Sequence, residues 1–338
     1  MRNNSRPLLI VGTQRSGSNL LRLMLNQLKE IEAPHPPHLL QMFSPLLPLY
    51  GDISIETNFV KLVGDIADYV NANPVAWHNV TFSVDDIIKR VKEKSLTDIF
   101  RVVYQIKAEE KNARYWCCKS MANIYYIPEI ESAGWQPYYI HLLRDGRDVA
   151  ASFKNSIVGE KHIYFVAKQW KQEQELSAAL AQNTPPERIC VLRYEEFITN
   201  PKQALQPILQ MLGINWTDEI MNFYLSDEAK RTAASGDMWR NVIKPVDATN
   251  MRHYSEKLTP GEIELFESVA GDTLELFGYK RDYPQAAPAD KFTPEQIAQF
   301  ALENDTLKKE AQKKYVVDAR VRVPQQEIIK RIKTYTLH

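Results

Sequence analysis

Residues Pro7 to Gln27, PLLIVGTQRSGSNLLRLMLNQ, place an apolar run, a glycine-bearing loop and an amphipathic segment in direct succession. Leu8–Val11 reads as a short buried strand and Gly12–Gly17 as the loop. Leu20, Leu21, Leu23, Met24, Leu25 and Leu28 then form the apolar face of a helix. Strand, glycine loop and helix together turn backbone N–H groups and a helix N-terminus toward an anion. The loop nevertheless departs from the template of nucleoside-triphosphate sites. Gly12 and Gly17 keep its glycine spacing, but Ser18 and Asn19 stand where lysine and Ser/Thr belong, and Arg15 brings a cation from inside the loop. Three readings stay open on these residues: an altered triphosphate site, a structural glycine turn, or a cradle for another phosphate-bearing ligand.

The rest of the chain alternates in the same way. YWCCKS, ending at Lys119 and Ser120, reads as a second short strand, PYYIHLL (Pro137–Leu143) as a clearer one, and RICVLRYEEF (Arg188–Phe197) as another. Pro201 opens the helix that follows. This alternation predicts an α/β fold with a phosphate-loop-type, mostly parallel sheet flanked by helices. Pro34, Pro36 and Pro37 stiffen the loop IEAPHPPHLLQMF. VDDIIKRVKEKSLTDIFRVVYQIKAEEK is helical in period, and residues 58–111 are expected to form a helical insert over the acceptor side. Beyond Tyr279 a proline-rich linker leads to two amphipathic segments. The expected division is a domain over 1–280 and a linker with a helical C-terminal extension over 281–338. That extension either packs on the core or meets a partner subunit in a homo-oligomer.

Lys+Arg and Asp+Glu both number 42 in 338 residues, which gives no reason to expect a nucleic-acid or membrane-surface partner. Three cysteines cannot build a disulfide framework or a four-ligand metal site. No run reaches the roughly 20 apolar residues of a membrane span. MRNNSRP leads straight into Leu8–Val11, so the chain reads as cytoplasmic and without a leader.

A second anion-directed feature follows the strand YYIHLL. Arg144 stands at its C-terminal end, where ligands of parallel sheets bind, with Arg147 and Ser152 on the segment behind it. Ion pairing among Asp145, Arg147 and Asp148 explains a capped turn, but not an arginine at the sheet edge.

With these two loops the chain resembles sulfotransferases that use 3'-phosphoadenosine 5'-phosphosulfate (PAPS). In that family PKSGTT or PRSGTT cradles the 5'-phosphosulfate. TQRSGSN is similar and places Arg15, Ser16, Gly17, Ser18 and Asn19 along the cradle. RDGRDVAAS resembles the family's 3'-phosphate segment, with Arg144 and Ser152 as ligands. Gly146 replaces the usual proline there, a change that a turn tolerates. NVIKPVDATNMRHYSEKL resembles the bacterial branch close to tyrosylprotein sulfotransferases. This implies nucleotide contacts around Met238–Asp247 with Lys244 among them. A following basic residue falls at His253 without gaps, or at Arg252 with a small shift. The family's nucleotide-contacting tyrosine maps onto Tyr194. The resemblance spans roughly Leu8 to Lys280 and implies PAPS as donor, 3',5'-adenosine bisphosphate as product and no required metal.

Sulfuryl transfer needs a base at the acceptor hydroxyl, positive charge around the moving group and a stabilised leaving oxygen. The protein branch carries its base as a glutamate, but a gapless count from Arg15 lands on Pro36, and Glu30 and Glu32 lie upstream. Other branches use histidine. His35 and His38 occupy the expected place, and His38, leading into apolar LLQMF, is favoured. His141, inside an apolar strand, reads as a packed core residue. The resemblance gives Lys119 a role beside the transferred group, although KSM lacks the family's proline. Two rivals remain: a magnesium-dependent P-loop small-molecule kinase, and a non-catalytic nucleotide-binding module. The acceptor is a hydroxyl on a small molecule, lipid, sugar or peptide.

Overall fold

The computed structural model describes residues 5–289 and 292–335. Five strands, β1 (Arg6–Gly12), β2 (Ile31–Glu32), β3 (Tyr115–Cys118), β4 (Tyr138–Leu143) and β5 (Ile189–Arg193), form one sheet in the order β2-β3-β1-β4-β5. Each neighbouring pair is parallel. Parallel neighbours need crossovers over a face, so every strand delivers its C-terminal end to the same edge of the sheet. Central β1 registers with β3 through Leu8↔Cys117 and with β4 through Ile10↔Ile140.

The apolar run of β1 serves both faces, as a doubly covered parallel strand requires. Leu8 and Ile10 pack into a cluster with α1 (Ser18–Leu25). Leu9 and Val11 face the opposite cluster with Phe100, Tyr104 and Trp116. On that second side lie α2 (Leu39–Phe43), α3 (Glu56–Asn71), α4 (Val84–Ile88), α5 (Leu96–Glu110) and α6 (Ile127–Ser132). A third cluster joins α7 (Gly146–Lys154) and α8 (Ile163–Asn183) to a later helix, Pro260–Leu276.

Three local expectations change. The helical period over residues 84–111 is carried by two helices, because Ser83 and Ser95 each accept the backbone N–H three residues on, from Asp86 and Asp98. The strand expected over Arg188–Phe197 stops at Arg193, and α9 (Tyr194–Thr199) and α10 (Pro201–Leu212) follow. Within the proline-stiffened loop, Ile31 and Glu32 pair with Tyr115 and Trp116 as edge strand β2. Cys117 and Cys118 are buried, and burial raises both thiol pKa values, Cys118's to a lesser degree and Cys117's beyond the ordinary range.

The chain continues through α11 (Asp227–Ala234), α12 (Tyr254–Lys257) and α13 (Pro260–Leu276) to α14 (Pro294–Lys314), α15 (Val316–Arg320) and α16 (Val323–Lys333). A capping box between Thr293 and Gln296 starts α14. This C-terminal extension is clasped to the core along its length, with anchors on α14 and near the end of α16. On α14, Asn304 Oδ1 accepts the backbone N–H groups of Lys161 at 2.8 Å and His162 at 3.0 Å. On α16, Arg331 pairs with Asp65 of α3 at 2.6 Å, and Tyr335 Oη donates to the same carboxylate at 2.9 Å. Between those contacts Ile332 is fully buried.

Candidate active site

At the C-terminal edge of the sheet, β1 ends in Gly12 and the chain turns through Thr13–Ser16 into α1. Gly17 is the N-cap of α1 with φ 90°, and a Cβ there would fall 2.6 Å from ring carbons of Tyr194. Both backbone conformation and space therefore require glycine. Arg15 has φ 71°, a left-handed conformation that costs a side-chain-bearing residue about 1 kcal/mol or more. That conformation lets Arg15 Nε donate to Ser152 Oγ at 3.0 Å, while its carbonyl accepts from Arg144 Nη1 at 2.9 Å.

Arg144 is the hub of this end. It leaves β4 buried, donates through Nη2 to the Asn250 carbonyl at 3.3 Å, and stacks 4.2 Å from the Tyr194 ring centroid. Asn250 in turn donates to Tyr194 Oη at 2.9 Å. Two guanidinium groups are thus held together, Arg144 buried and Arg15 partly so at the cleft wall. Burial first, and the charge of Arg144 second, bring the Arg15 pKa down to about 10. A bound anion would offset both causes.

Arg147 points elsewhere, into Asp145 at 2.8 Å and Glu267 at 2.7 Å, as a structural ion cluster. Gly146 opens α7 and is more than a tolerant turn residue. A Cβ there would fall 2.6 Å from Trp170 Cδ2 and closer still to the Phe266 ring.

The two histidines stand at the other end. His38 adopts φ 58° as N-cap of α2, and its Nδ1 lies 2.8 Å from Ser120 Oγ, just past β3. This contact fixes the ring with Nε2 left to act. Both ring nitrogens of His35 are buried without a partner, and the ring meets Trp239 edge-on at 4.8 Å. Asn73 and Trp77 hold the His35 carbonyl at 2.9 and 2.7 Å.

Lys119 is buried beside them. Burial, then the charges of Arg22 and Arg15, take its pKa to about 7. Burial, then Lys119 and Arg322, take His38 to about 3, and His35 is likewise lowered well below the usual imidazole range. Both imidazoles are therefore neutral at pH 7 and open to a proton. A polyanion in the cleft would screen the surrounding cations and raise their basicity.

These groups border one cleft of about 1280 Å³. Arg15 and Gly17 line it from the first loop, Ser18 and Asn19 from the start of α1, Arg144 and Tyr194 from the ends of β4 and β5, and Ser152 from α7. His35, His38, Lys119 and Lys244 complete the set that the sequence brings together. Two expected residues sit differently. Ser16 turns its hydroxyl into the protein, buried and without a partner. Arg252 is exposed outside the cleft wall, where its backbone N–H donates to Asp148 at 2.7 Å, and His253 lines the cleft instead.

Of the helical insert, only Tyr69, Asn73 and Pro74 reach the cleft. His141 is buried with Nε2 2.7 Å from Gln174, as its strand position suggests. Sequence reasoning misses Ser120, Asn250 and the C-terminal residues Arg322 and Gln325, brought in by long-range packing without a local motif, whereas Trp239 lies within the expected Met238–Asp247 segment. Among the described residues no group of three or more His, Cys, Asp or Glu is placed to hold a metal. No helix among them is long and apolar enough to cross a membrane.

Comparison with known proteins agrees with this geometry at the level of fold and family. The sulfotransferase domain of the Synechococcus PCC 7002 olefin synthase superposes with a TM-score of 0.53 at 20% identity, covering 79% of this chain and 95% of that domain. The sulfotransferase domain of the curacin biosynthetic pathway gives 0.55 at 19%, covering 82% and 98%. An uncharacterized protein of Aquifex aeolicus (strain VF5) is 20% identical over 265 residues. This is 76% of the present chain but 32% of the relative, so the chain spans about a third of that protein's length. The model of the sulfotransferase family matches residues 7–218, a span that holds all five strands together with Arg15, Arg144, Ser152 and Tyr194. A match over more than half of the chain, on the strands and loops that build the cleft, makes this protein a member of the sulfotransferase family.

Proposed function

We propose that the chain moves a sulfuryl group from PAPS to a hydroxyl acceptor by in-line transfer, with His38 as general base. The observation that carries this reading is the Arg15–Arg144 pair, locked by Ser152 and the Asn250 carbonyl at the mouth of a parallel sheet. Arg144 Nε, on a side chain that lines the cleft, is buried with no partner within the protein, as suits a cleft completed by a phosphorylated ligand. The donor supplies the sulfuryl group and leaves as 3',5'-adenosine bisphosphate.

In this reading the loop is a phosphate-loop-type cradle in which Arg15 and the backbone of Ser16–Asn19 hold the 5'-phosphosulfate. Arg144 and Ser152 hold the 3'-phosphate. Tyr194 and Lys244 flank the nucleotide, and His253 takes the basic position for which Arg252 was the other candidate. Lys119 places positive charge at the group in transit. The Ser120 hydroxyl orients His38, whose Nε2 takes the acceptor proton. His35, unpartnered on Trp239, shapes the acceptor side. VIKPVD, lining the cleft through Lys244, favours the bacterial branch near tyrosylprotein sulfotransferases. Donor chemistry is assigned to 1–280, with 281–338 as an extension. A P-loop kinase fits less well, because Ser18 stands where the catalytic lysine belongs.

The test is calorimetric titration with 3',5'-adenosine bisphosphate, followed by transfer from labelled PAPS to phenols, fatty alcohols, sugars and tyrosyl peptides. Nucleotide binding and label transfer unaffected by EDTA are expected. Transfer of phosphate from ATP that needs magnesium would replace this reading with the kinase.

A further inference from the structure

The C-terminal extension brings one group to the cleft that the proposed donor chemistry does not use. Arg322, between α15 and α16, lines the cleft together with Gln325, Gln326 and Ile329. Its guanidinium makes a single hydrogen bond, a 3.4 Å contact to the thioether of Met238, and its Nε is buried without a partner. Among the described residues no carboxylate lies within ion-pair distance of it. Asp318, one helical turn earlier, has Oδ2 engaged by the Asp237 N–H at 3.0 Å. Burial lowers the Arg322 pKa, with the charge of Asp318 opposing that effect. A largely desolvated guanidinium with no carboxylate in direct contact is costly unless a ligand completes it.

The surroundings indicate what that ligand is. Arg322 lies on the histidine side, since its charge depresses both His35 and His38. Its guanidinium carbon is 5.5 Å from the Trp239 ring centroid, and that same ring carries His35. Arg15 and Arg144, by contrast, are already bonded to Ser152 and to backbone carbonyls. A guanidinium without an ion pair, set among Trp239, Met238, Tyr69 and Ile329, suits an apolar molecule that ends in a carboxylate. Guanidinium is the side chain that receives a carboxylate through paired N–H groups.

We propose that Arg322 selects the acceptor by receiving its carboxylate, so that the acceptor class is hydroxy acids. The inference rests on the sulfotransferase reading and extends it to the other substrate. Binding of the carboxylate also offsets the Arg322 charge, which lowers His38 after burial and Lys119.

The test uses the full chain saturated with 3',5'-adenosine bisphosphate. It is titrated with 4-hydroxyphenylacetate, with 10-hydroxydecanoate and with the methyl ester of each. At least one acid binds more tightly than its ester, by about tenfold to hundredfold, the worth of a charge-assisted hydrogen bond. Arg322→Gln removes that difference while ester and nucleotide affinities hold, and Arg322→Lys retains part of it. Absence of binding by both acids, or an acid preference that survives Arg322→Gln, overturns the proposal. Equal loss of turnover for acid and ester at unchanged binding places Arg322 on the sulfuryl group and also overturns it. Failure of the parent chain to bind 3',5'-adenosine bisphosphate is a distinct result that removes the underlying sulfotransferase reading, and the acceptor role with it.

Discussion

Arg15 and Ser152 are separated by 137 positions in the chain, and their side chains meet at 3.0 Å. The contact joins the loop after β1 to α7 after β4, neighbours in the sheet, and Arg144 closes the same junction from its other side. The basic end of the cleft therefore depends on a joint between two loops more than on either alone.

Arg144→Ala is expected to weaken 3',5'-adenosine bisphosphate binding by about tenfold to hundredfold, the loss of one or two charge-assisted hydrogen bonds. Calorimetry measures it, and circular dichroism checks that the fold persists. Unchanged affinity would remove Arg144 from the donor site.

His38→Ala is expected to lower turnover by ~10²–10⁴ while nucleotide affinity is kept. Ser120→Ala leaves the imidazole in place but frees it to rotate, and costs about tenfold, in the range seen for groups that orient a working histidine. If His35→Ala is inactive while His38→Ala turns over normally, the base lies at His35.

The pH dependence of nucleotide binding follows from Lys119, held at about 7 in the free cleft by burial and then by Arg22 and Arg15. An anion favours its protonated form, so binding raises this pKa and takes up a proton. Affinity is then full below about pH 7 and falls as pH rises through that value. Proton uptake measured calorimetrically in buffers of different ionisation enthalpy checks the sign. Lys119→Met binds more weakly and loses the slope; a slope that persists points to another group.

Gly146→Ala is expected to destabilise the fold by about 1–3 kcal/mol, the cost of forcing a methyl group into a filled core. The Trp170 and Phe266 rings occupy the space that the new Cβ needs. Thermal unfolding reads the change. Because Trp170 Nε1 also donates to the Arg144 carbonyl at 3.2 Å, nucleotide affinity should fall with stability.

What was legible in the sequence was whatever is encoded locally. TQRSGSN and RDGRDVAAS each compress a strand end, a turn and a helix start into a few residues, and the parallel sheet follows from their alternation with helices. β2 was hidden because two residues carry no periodicity, and the break between α4 and α5 because their shared helical period outweighs one capping serine. Ser120 looks like an ordinary strand-end residue until packing brings His38, 82 positions away, onto its hydroxyl. Arg252 and His253 are adjacent in sequence, and the long-range backbone contacts of Arg252 and Tyr254 with Asp148 hold the segment in which His253 faces the cleft.

The clasps at Asn304 and Asp65 have a bearing on how such a protein can be altered. The donor-side residues Arg15, Arg144, Ser152 and Tyr194 fall within the family-matched span, whereas the tail that the clasps hold begins well beyond it. A substitute tail that is to sit at the same mouth must reproduce these anchors together with the Asp318–Asp237 and Gln325–Tyr69 contacts. Exchange of residues 294–335 between relatives, with those anchors retained, is thus a direct way to ask whether the proposed selectivity travels with the tail.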